Sequence, residues 1–346
     1  MAHAEAQQQE RPHRGSADRV DLGRAFVTGA AGPLASLDGA AVLVTGGSGL
    51  IGRAAVSALL AEGARVTVFD RADALGSARE SVTFIAGDVT EQAAVRSAVA
   101  DMDAVVHLGG YAGLGMADAV ETYRVNTIGT FTVLAEAAAA GVRKIVYASS
   151  INANGYPLGS DEVLPPLFPY DEDAEPHISD EYSLSKLAGE DAARMVAARW
   201  GVSVTGLRFP LVRDITADGG RVFGAHVRAA LAGDPRRQAA EGWSYLDVSD
   251  AGRSIVAALL GDTPPAPGIL VAAPLTYLTT PTEEALDLFA RSVPRRPIAG
   301  RGVGLDLGRS RELLGFEASV LLDEVAPDQL VDLTAIDPGA EGEARA

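Results

Sequence analysis

A tyrosine and a lysine stand four residues apart in Tyr182-Ser183-Leu184-Ser185-Lys186, at the start of a stretch whose pattern predicts a helix to about Trp200. On a helix that spacing puts both on one face, with roughly 5–6 Å between their Cβ atoms. The chemistry this suggests is proton transfer by a phenol. Tyrosine ionises at about pH 10 on its own, so a base working near neutrality needs a shift of about 3 units, or roughly 4 kcal/mol. A neighbouring ammonium and a helix N-terminus both favour the phenolate. Upstream, the apolar run Lys144-Ile145-Val146-Tyr147-Ala148 ends in Ser149-Ser150. Ser150 can donate a hydrogen bond to a substrate oxygen and hold it against the tyrosine. Tyr and Lys at this spacing often form a mere packing pair, so the meaning of the pair rests on what surrounds it.

What surrounds it begins at Ala41-Val42-Leu43-Val44, a short apolar run rich in β-branched residues, as expected of a central parallel strand. Thr45-Gly46-Gly47-Ser48-Gly49-Leu50-Ile51-Gly52 follows, with Gly46, Gly49 and Gly52 at a G-x-x-G-x-x-G spacing, and then a helix expected from Leu50 to Leu60. The first glycine suits a turn with positive φ, the second lets backbone approach a pyrophosphate, and the third lets the helix pack on the strand. The helix N-terminus favours the phosphate charge. A second strand, Arg65-Val66-Thr67-Val68-Phe69, ends in Asp70, 18 residues after Gly52. A carboxylate there would accept hydrogen bonds from the adenosine ribose hydroxyls. With a dinucleotide in place, a positive nicotinamide ring would join Lys186 in lowering the phenol's pKa. A similar-looking segment, Val27-Thr28-Gly29-Ala30-Ala31-Gly32, runs into Pro33 rather than a long amphipathic helix and is set aside.

The chain then alternates strand and helix, which implies a parallel sheet with helices on both faces. Val82 to Ala86 reads as a third strand, running into Gly87-Asp88-Val89, where Asp88 would meet the adenine amino group or cap a helix over Glu91–Ala100. Ala104 to Leu108 reads as a fourth strand, followed by Gly109-Gly110, small residues on which a cofactor could lie. His107 reads as a packed strand-end histidine rather than a base. A long helix is expected from about Ala117 to Ala140, ended by Gly141, with Asn126 as a poor mid-helix residue that implies a kink or a buried water site. The stretch from Ile151 to Glu181 carries five prolines, which exclude a helix or central strand through most of it. A loop this long between two catalytic candidates is expected to cover the substrate.

Bulk composition narrows the function. With 346 residues, 47 % hydrophobic and 22 % charged, the chain reads as a soluble globular enzyme. A net charge of −17 argues against a nucleic-acid partner. The absence of cysteine excludes disulfides, thiolate metal sites and cysteine nucleophiles, and the five histidines show no metal-ligand spacing, so no metal is expected. No run is apolar enough to span a bilayer and no signal core follows the N-terminus, so no membrane partner and a cytoplasmic location are expected. Residues 1–38 read as a flexible leader, although 25–37 are less polar and could pack as an arm, and 331–346 read as an acidic, flexible tail.

Taken together, Thr45 to Gly52, Asp70, Asp88, Asn126, Ser150, Tyr182 and Lys186 resemble the extended short-chain dehydrogenase/reductase superfamily, in its NAD-dependent epimerase/dehydratase group. The resemblance covers about residues 40 to 320 and is weaker beyond Phe209. It implies an α/β fold: a Rossmann-type doubly wound parallel sheet with a smaller C-terminal substrate lobe. Residues 39–208 would form the NAD-binding domain with the catalytic residues, and 209–330 mainly the substrate lobe, part of it returning to the main sheet. Tyr182 would be the catalytic acid or base, Lys186 would hold the nicotinamide ribose and lower the tyrosine's pKa, and Ser150 would polarise the substrate. Ser150 is preferred to Ser149 because members of the family place the catalytic hydroxyl five residues before a glycine, here Gly155. The cofactor set implied is Gly46, Gly49, Leu50, Ile51, Gly52, Asp70, Arg71, Asp88, Val89, Leu108, Gly109, Gly110 and Asn126, with Tyr182 and Lys186. NAD is expected over NADP because Asp70 would repel a 2′-phosphate, while Arg71 and Arg53 pull the other way. A homodimer through helices 117–140 and 182–200 is implied as well.

In the second half, Trp243 to Asp250 resembles the family's strand-to-helix return to the main sheet, and Ser310 to Phe316 its C-terminal helix and turn. Departures narrow the substrate. Pro210-Leu211-Val212-Arg213 replaces the segment with which nucleotide-sugar epimerases follow the Leu-Arg pair, and Ile151-Asn152 replaces the acidic pair of the 4,6-dehydratases. Ser149-Ser150 with Asn152, and His107 to Gly110, look closer to uronate and simple sugar dehydrogenases. Ser150 and Asn152, with Arg208 and Arg213 for a carboxylate or phosphate, are the substrate candidates. Arg208 reads equally well as a structural ion pair at a strand end. The expected function is an NAD-dependent oxidoreductase acting on a secondary alcohol or ketone of a sugar, sugar acid or similar polyol. The alternative is a sugar or nucleotide-sugar epimerase with retained NAD. A nucleotide-sensing regulator built on a dead enzyme would be expected to lack the tyrosine or the lysine, and both are present.

Overall fold

The computed structural model describes residues 34–159, 163–263 and 266–333. The short β-branched runs become strands β1 (Ala41–Thr45), β2 (Arg65–Asp70), β3 (Thr83–Ala86), β4 (Ala104–His107), β5 (Lys144–Ser150), β6 (Ser203–Phe209) and β9 (Ala266–Leu270). They form one parallel sheet in the order β3-β2-β1-β4-β5-β6-β9. The order reverses at β1, and a crevice opens beyond the carboxyl ends of the strands at that switch point.

Helices cover both faces. Along β1, Val42 and Val44 point into a core shared with α1 (Leu50–Ala61) and α7 (Val248–Leu260). Leu43, between them, joins the opposite core, built with α2 (Gln92–Ala98), α3 (Ala119–Ala139) and α4 (Glu181–Trp200). All three side chains are fully buried, as a strand covered on both faces requires. Asp118 caps α3 by accepting from Glu121 N, and Asp180 caps α4 by accepting from Ser183 N.

The C-terminal lobe carries a parallel pair, β7 (Leu211–Arg213) and β8 (Tyr245–Asp247), with α5 (Arg221–Gly233), α6 (Pro235–Ala240), α8 (Thr282–Phe289), α9 (Gly308–Leu314) and α10 (Leu322–Val325). From it α7 and β9 return to the main sheet. Trp243 to Asp250 enters β8 and α7, and Ser310 to Leu314 lies in α9, which ends at Gly315 with φ +60°.

Several boundaries shift. The third strand starts at Thr83, and α2 spans only Gln92–Ala98, capped by Val99, with the chain turning at Asp101 (φ 61°) before β4. The ordered fold begins before residue 39, since Leu34 and Leu37 are buried in the core. It also runs past 330: Val331 N donates to Tyr277 O, and Val331 and Leu333 are buried. The segment 27–32 and residues 334–346 lie outside the described residues.

Candidate active site

The glycine spacing is used sterically. Gly46 takes φ +70°, and a Cβ on it would stand 2.6 Å from Gly109 N. A Cβ on Gly52 would stand 2.1 Å from Gly46 O, so only glycine lets α1 pack this close to the turn. At Gly49 a Cβ would meet only Gly46 O, at 3.2 Å, and its remaining surroundings are open. Beside the turn lies a cleft of about 330 Å³. Of the residues expected to hold a cofactor, Gly46, Gly49, Asp70, Arg71, Asp88 and Val89 line it, as do Leu108, Gly109 and Gly110. Leu50, Ile51, Gly52, Asn126, Tyr182 and Lys186 do not. The first three form the start of α1, and Asn126 is buried. The expected set lacks Ser48, Phe69, Ala72, Ala74 and Gly87, neighbours of residues it names, and also Tyr111 and Val125, which all line the cleft. Tyr111 directly follows the Gly-Gly pair and was findable by that adjacency.

Asp70 accepts from Ser48 N through Oδ2 (3.0 Å) and from Arg71 N through Oδ1 (2.7 Å). These bonds tie the end of β2 to the glycine turn. Asp88 Oδ1 accepts from Thr90 N (2.9 Å) and Thr90 Oγ1 (2.8 Å), closing a tight turn before α2 rather than capping the helix itself. Burial pushes the Asp88 carboxyl up, but the Thr90 hydrogen bonds together with Arg71 and Arg124 outweigh it and hold it below its usual value.

Asn126 is neither a kink nor a water site. Its Oδ1 accepts from Tyr111 N (2.8 Å), and its Nδ2 donates to Tyr111 O (3.1 Å) and Ser185 Oγ (3.1 Å). One amide thus fastens the wall of the cleft to the helix that carries Tyr182 and Lys186. His107 is buried between Thr45 Oγ1 (2.7 Å) and Thr130 Oγ1 (3.1 Å). Burial, and then the charge of Lys186, pull it down to about 3, so it is neutral and very weakly basic at physiological pH.

Tyr182 and Lys186 share one face of α4, with Lys186 Nζ 5.5 Å from the centre of the Tyr182 ring. Lys186 Nζ donates to Ala148 O (3.1 Å) at the end of β5, and its burial pulls it down to about 8. Burial pushes the Tyr182 phenol up to about 12. A hydrogen bond with Ser150 lowers it, and the Asp180 charge raises it. The two serines divide their work. Ser149 Oγ donates to buried Glu190 (2.7 Å), while Ser150 sits with Tyr182 and caps the 3₁₀ turn at 151–154. Gly155 follows with φ +83°, where a Cβ would collide with His177 O at 2.0 Å.

Arg208 is the structural ion pair. Its Nε and Nη2 bind the two Glu190 oxygens at 2.8 and 2.7 Å, and Nη1 donates to Asn154 Oδ1 and Glu172 O. With its side chain 5 % exposed and four of its five N–H groups donated to protein acceptors, the guanidinium is not presented to a substrate anion. Arg213 is exposed at the end of β7 and donates to Val212 O. Asn152 stays beside Ser150, with Nδ2 3.1 Å from Ser150 Oγ. Sequence reasoning missed Glu190, Asn154 and Glu172, which are far apart in the chain and carry no motif.

Known proteins resemble the chain in both sequence and fold. The NAD dependent epimerase/dehydratase family model matches residues 42–272, about two-thirds of the chain. A UDP-glucose 4-epimerase from Bacillus subtilis is 30% identical over 211 residues, 56% of each chain. A 3-beta-hydroxysteroid dehydrogenase from Mycolicibacterium neoaurum is 36% identical over 129 residues, 36% of this chain and 34% of that protein. The chain spans between about a third and just over half of the length of the curated relatives it matches. Among solved structures, MoeE5 in complex with UDP-glucose and NAD has a TM-score of 0.59 at 25% identity, over 84% of this chain and 97% of that one. A short-chain dehydrogenase/reductase superfamily protein from Agrobacterium tumefaciens with bound NAD has a TM-score of 0.61 at 24% identity, over 84% and 96%. On the match over residues 42–272, with the glycine turn and sheet order described above, the chain belongs to the NAD dependent epimerase/dehydratase family.

Proposed function

We propose that the protein is an NAD-dependent oxidoreductase acting at a secondary alcohol or ketone carbon of a sugar, sugar acid or similar polyol, with Tyr182 as general acid and base. The observation that carries this reading is the Asn126 amide, which joins the cleft wall at Tyr111 to the helix bearing Tyr182 and Lys186. It supports the reading by tying the helix of Tyr182 and Lys186 to the wall of a cleft that would suit a dinucleotide.

The residues fit NAD. A turn in which only glycine packs, an open flank at Gly49 and a carboxylate at the end of β2 are what a pyrophosphate and a ribose diol require. Gly46 to Gly52 would hold the pyrophosphate, Asp70 the adenosine ribose and Asp88 with Val89 the adenine side. Leu108 to Gly110 would flank the nicotinamide half, and Lys186 would bind its ribose. When bound, NAD⁺ supplies the acceptor for the hydride that leaves the carbinol carbon. Tyr182 takes the hydroxyl proton in oxidation and returns it in reduction, while Ser150 donates a hydrogen bond to the same substrate oxygen. Two buried acceptors near this pair, Asn152 Oδ1 and Asp180 Oδ2, have no partner. A hydroxylated substrate would supply donors that an apolar one lacks.

The match to a UDP-glucose 4-epimerase favours a second reading, an epimerase that retains its NAD. Absorbance and mass analysis of the gently denatured protein tests both. Stoichiometric dinucleotide, with no net NADH release on turnover, supports the epimerase. An empty protein that reduces added NAD⁺ with a sugar or uronate supports the dehydrogenase. Turnover undiminished in Tyr182→Phe would overturn both. The apolar stripes on α3 (Val120, Ile128, Phe131) and α4 (Leu184, Met195) are exposed and would be covered by a second copy of the chain, making a homodimer.

A further inference from the structure

The hydroxyl of Ser150 has one proton to give and two lone pairs to fill. Both lone pairs are filled by one residue. Asn152 N donates to Ser150 Oγ at 3.1 Å, as the capping bond of the 3₁₀ turn, and Asn152 Nδ2 donates to the same oxygen at 3.1 Å. The remaining hydrogen-bond neighbour of Ser150 is the Tyr182 phenol. We propose that Asn152 is a positioning residue that fixes the polarity of the catalytic hydrogen-bond chain: by occupying both acceptor sites of Ser150 it leaves that hydroxyl only its proton to offer, toward Tyr182 Oη and the substrate oxygen beside it.

The geometry has a chemical consequence. A serine free to rotate can accept from a neutral tyrosine as readily as donate to a phenolate, and acceptance favours the protonated phenol. A serine that can only donate favours the phenolate, and favours a substrate oxygen gaining negative charge. Asn152 therefore acts through Ser150 without touching the phenol. The charged groups facing Tyr182 are Lys186 and Asp180 on its own helix and cap, and His107 on β4 is neutral, so the hydroxyl's direction is the adjustable part. The proposal rests on the reading of Tyr182 as the proton-transfer group, but hydroxyl polarity can be measured without turnover.

The test places 3,5-difluorotyrosine, whose phenol ionises well below that of tyrosine, at position 182 of the full chain and follows its ¹⁹F shift with pH. Ser150→Ala is expected to raise the phenol's pKa by about one unit, the effect of losing one charge-assisted hydrogen bond. Asn152→Ala is expected to raise it by part of that amount in the parent and not at all in the Ser150→Ala background. No shift on Asn152→Ala, an equal shift in both backgrounds, or no shift on Ser150→Ala overturns the proposal. If Asn152→Ala does not fold, the isosteric Asn152→Asp takes its place. Its charge raises the phenol in either background, and only the part lost with Ser150→Ala counts. With a substrate in hand, Asn152→Ala should lower kcat while leaving the NAD⁺ dissociation constant unchanged. Absence of any NAD-linked turnover would instead count against the functional reading, and the ¹⁹F result would stand by itself.

Discussion

Arg208 and Glu190 meet edge to edge, two N–H groups on two carboxylate oxygens at 2.8 and 2.7 Å, with both side chains out of solvent. Removing one partner leaves the other buried and unpaired. Glu190→Ala is expected to cost about 3–5 kcal/mol in denaturant unfolding, and Glu190→Leu combined with Arg208→Met to recover most of it. An unchanged midpoint in Glu190→Ala, with a raised KM for an anionic substrate, would return Arg208 to the substrate site.

The glycine turn separates binding from folding. Gly52→Ala forces a Cβ to 2.1 Å from backbone and is expected to lower stability, while Gly49→Ala needs only a small give against Gly46 O. Gly49→Ala should fold with a midpoint close to the parent's yet bind NAD⁺ at least about tenfold more weakly in calorimetry, because its methyl occupies the approach to the pyrophosphate. Normal NAD⁺ affinity in Gly49→Ala would place the phosphates elsewhere.

Lys186 is held at about 8, below its ordinary 10.5. Between those values the unfolded chain binds more protons than the fold, so this contribution to stability is full above pH 10.5 and lost as pH falls to about 8. Lys186→Met is therefore expected to stabilise the cofactor-free protein at pH 7, by up to about 3 kcal/mol, with the advantage gone by pH 10.5, while abolishing oxidation of substrate. Thermal unfolding at pH 7, 9 and about 10.5 checks it. A destabilised Lys186→Met at pH 7 would contradict it.

His107 has the same sign in another window. Its folded value of about 3 lies below 6.5, so stability is full above pH 6.5 and drains away as pH falls toward 3. His107→Gln should flatten the acid limb of the unfolding curve, by up to about 4 kcal/mol at its foot, and retain turnover. Loss of turnover with an unchanged acid limb would make His107 a catalytic base after all.

Phe131 stands exposed in the α3 stripe together with Val120 and Ile128. If the parent is the proposed dimer by light scattering, Phe131→Asp is expected to give a monomer, with unfolding little changed at low concentration. An unchanged assembly would move the interface off α3.

Much of the cofactor half was legible because its signals are local. Strands buried on both faces must be short β-branched runs, and the turn after β1 needs glycine within seven residues. Tyr182 and Lys186 were legible because one helical turn joins them. Glu190 was not, since it meets Arg208 only when α4 and β6 pack; Arg208 read equally as an ion pair or a substrate group because its partner lies far off in the chain. The lobe was faint for a different reason: β7 and β8 are three residues each, too short for alternation to show.

The segment after Ser150 leaves and re-enters the site through one narrow neck. His177 N donates to Asn154 O at 2.8 Å, and Gly155 lies so close to His177 O that no side chain fits between. Beyond the neck, Phe168 and Tyr170 pair with Arg295 and Leu305 of the lobe rather than with the sheet. The excursion is thus a cassette with a fixed socket and one further tie to the main sheet, at Glu172, which accepts from Arg208 and Leu270 N and would have to be kept. New substrate preferences could be grafted there by exchanging 156–176 together with 294–306, leaving the proton-transfer machinery in register.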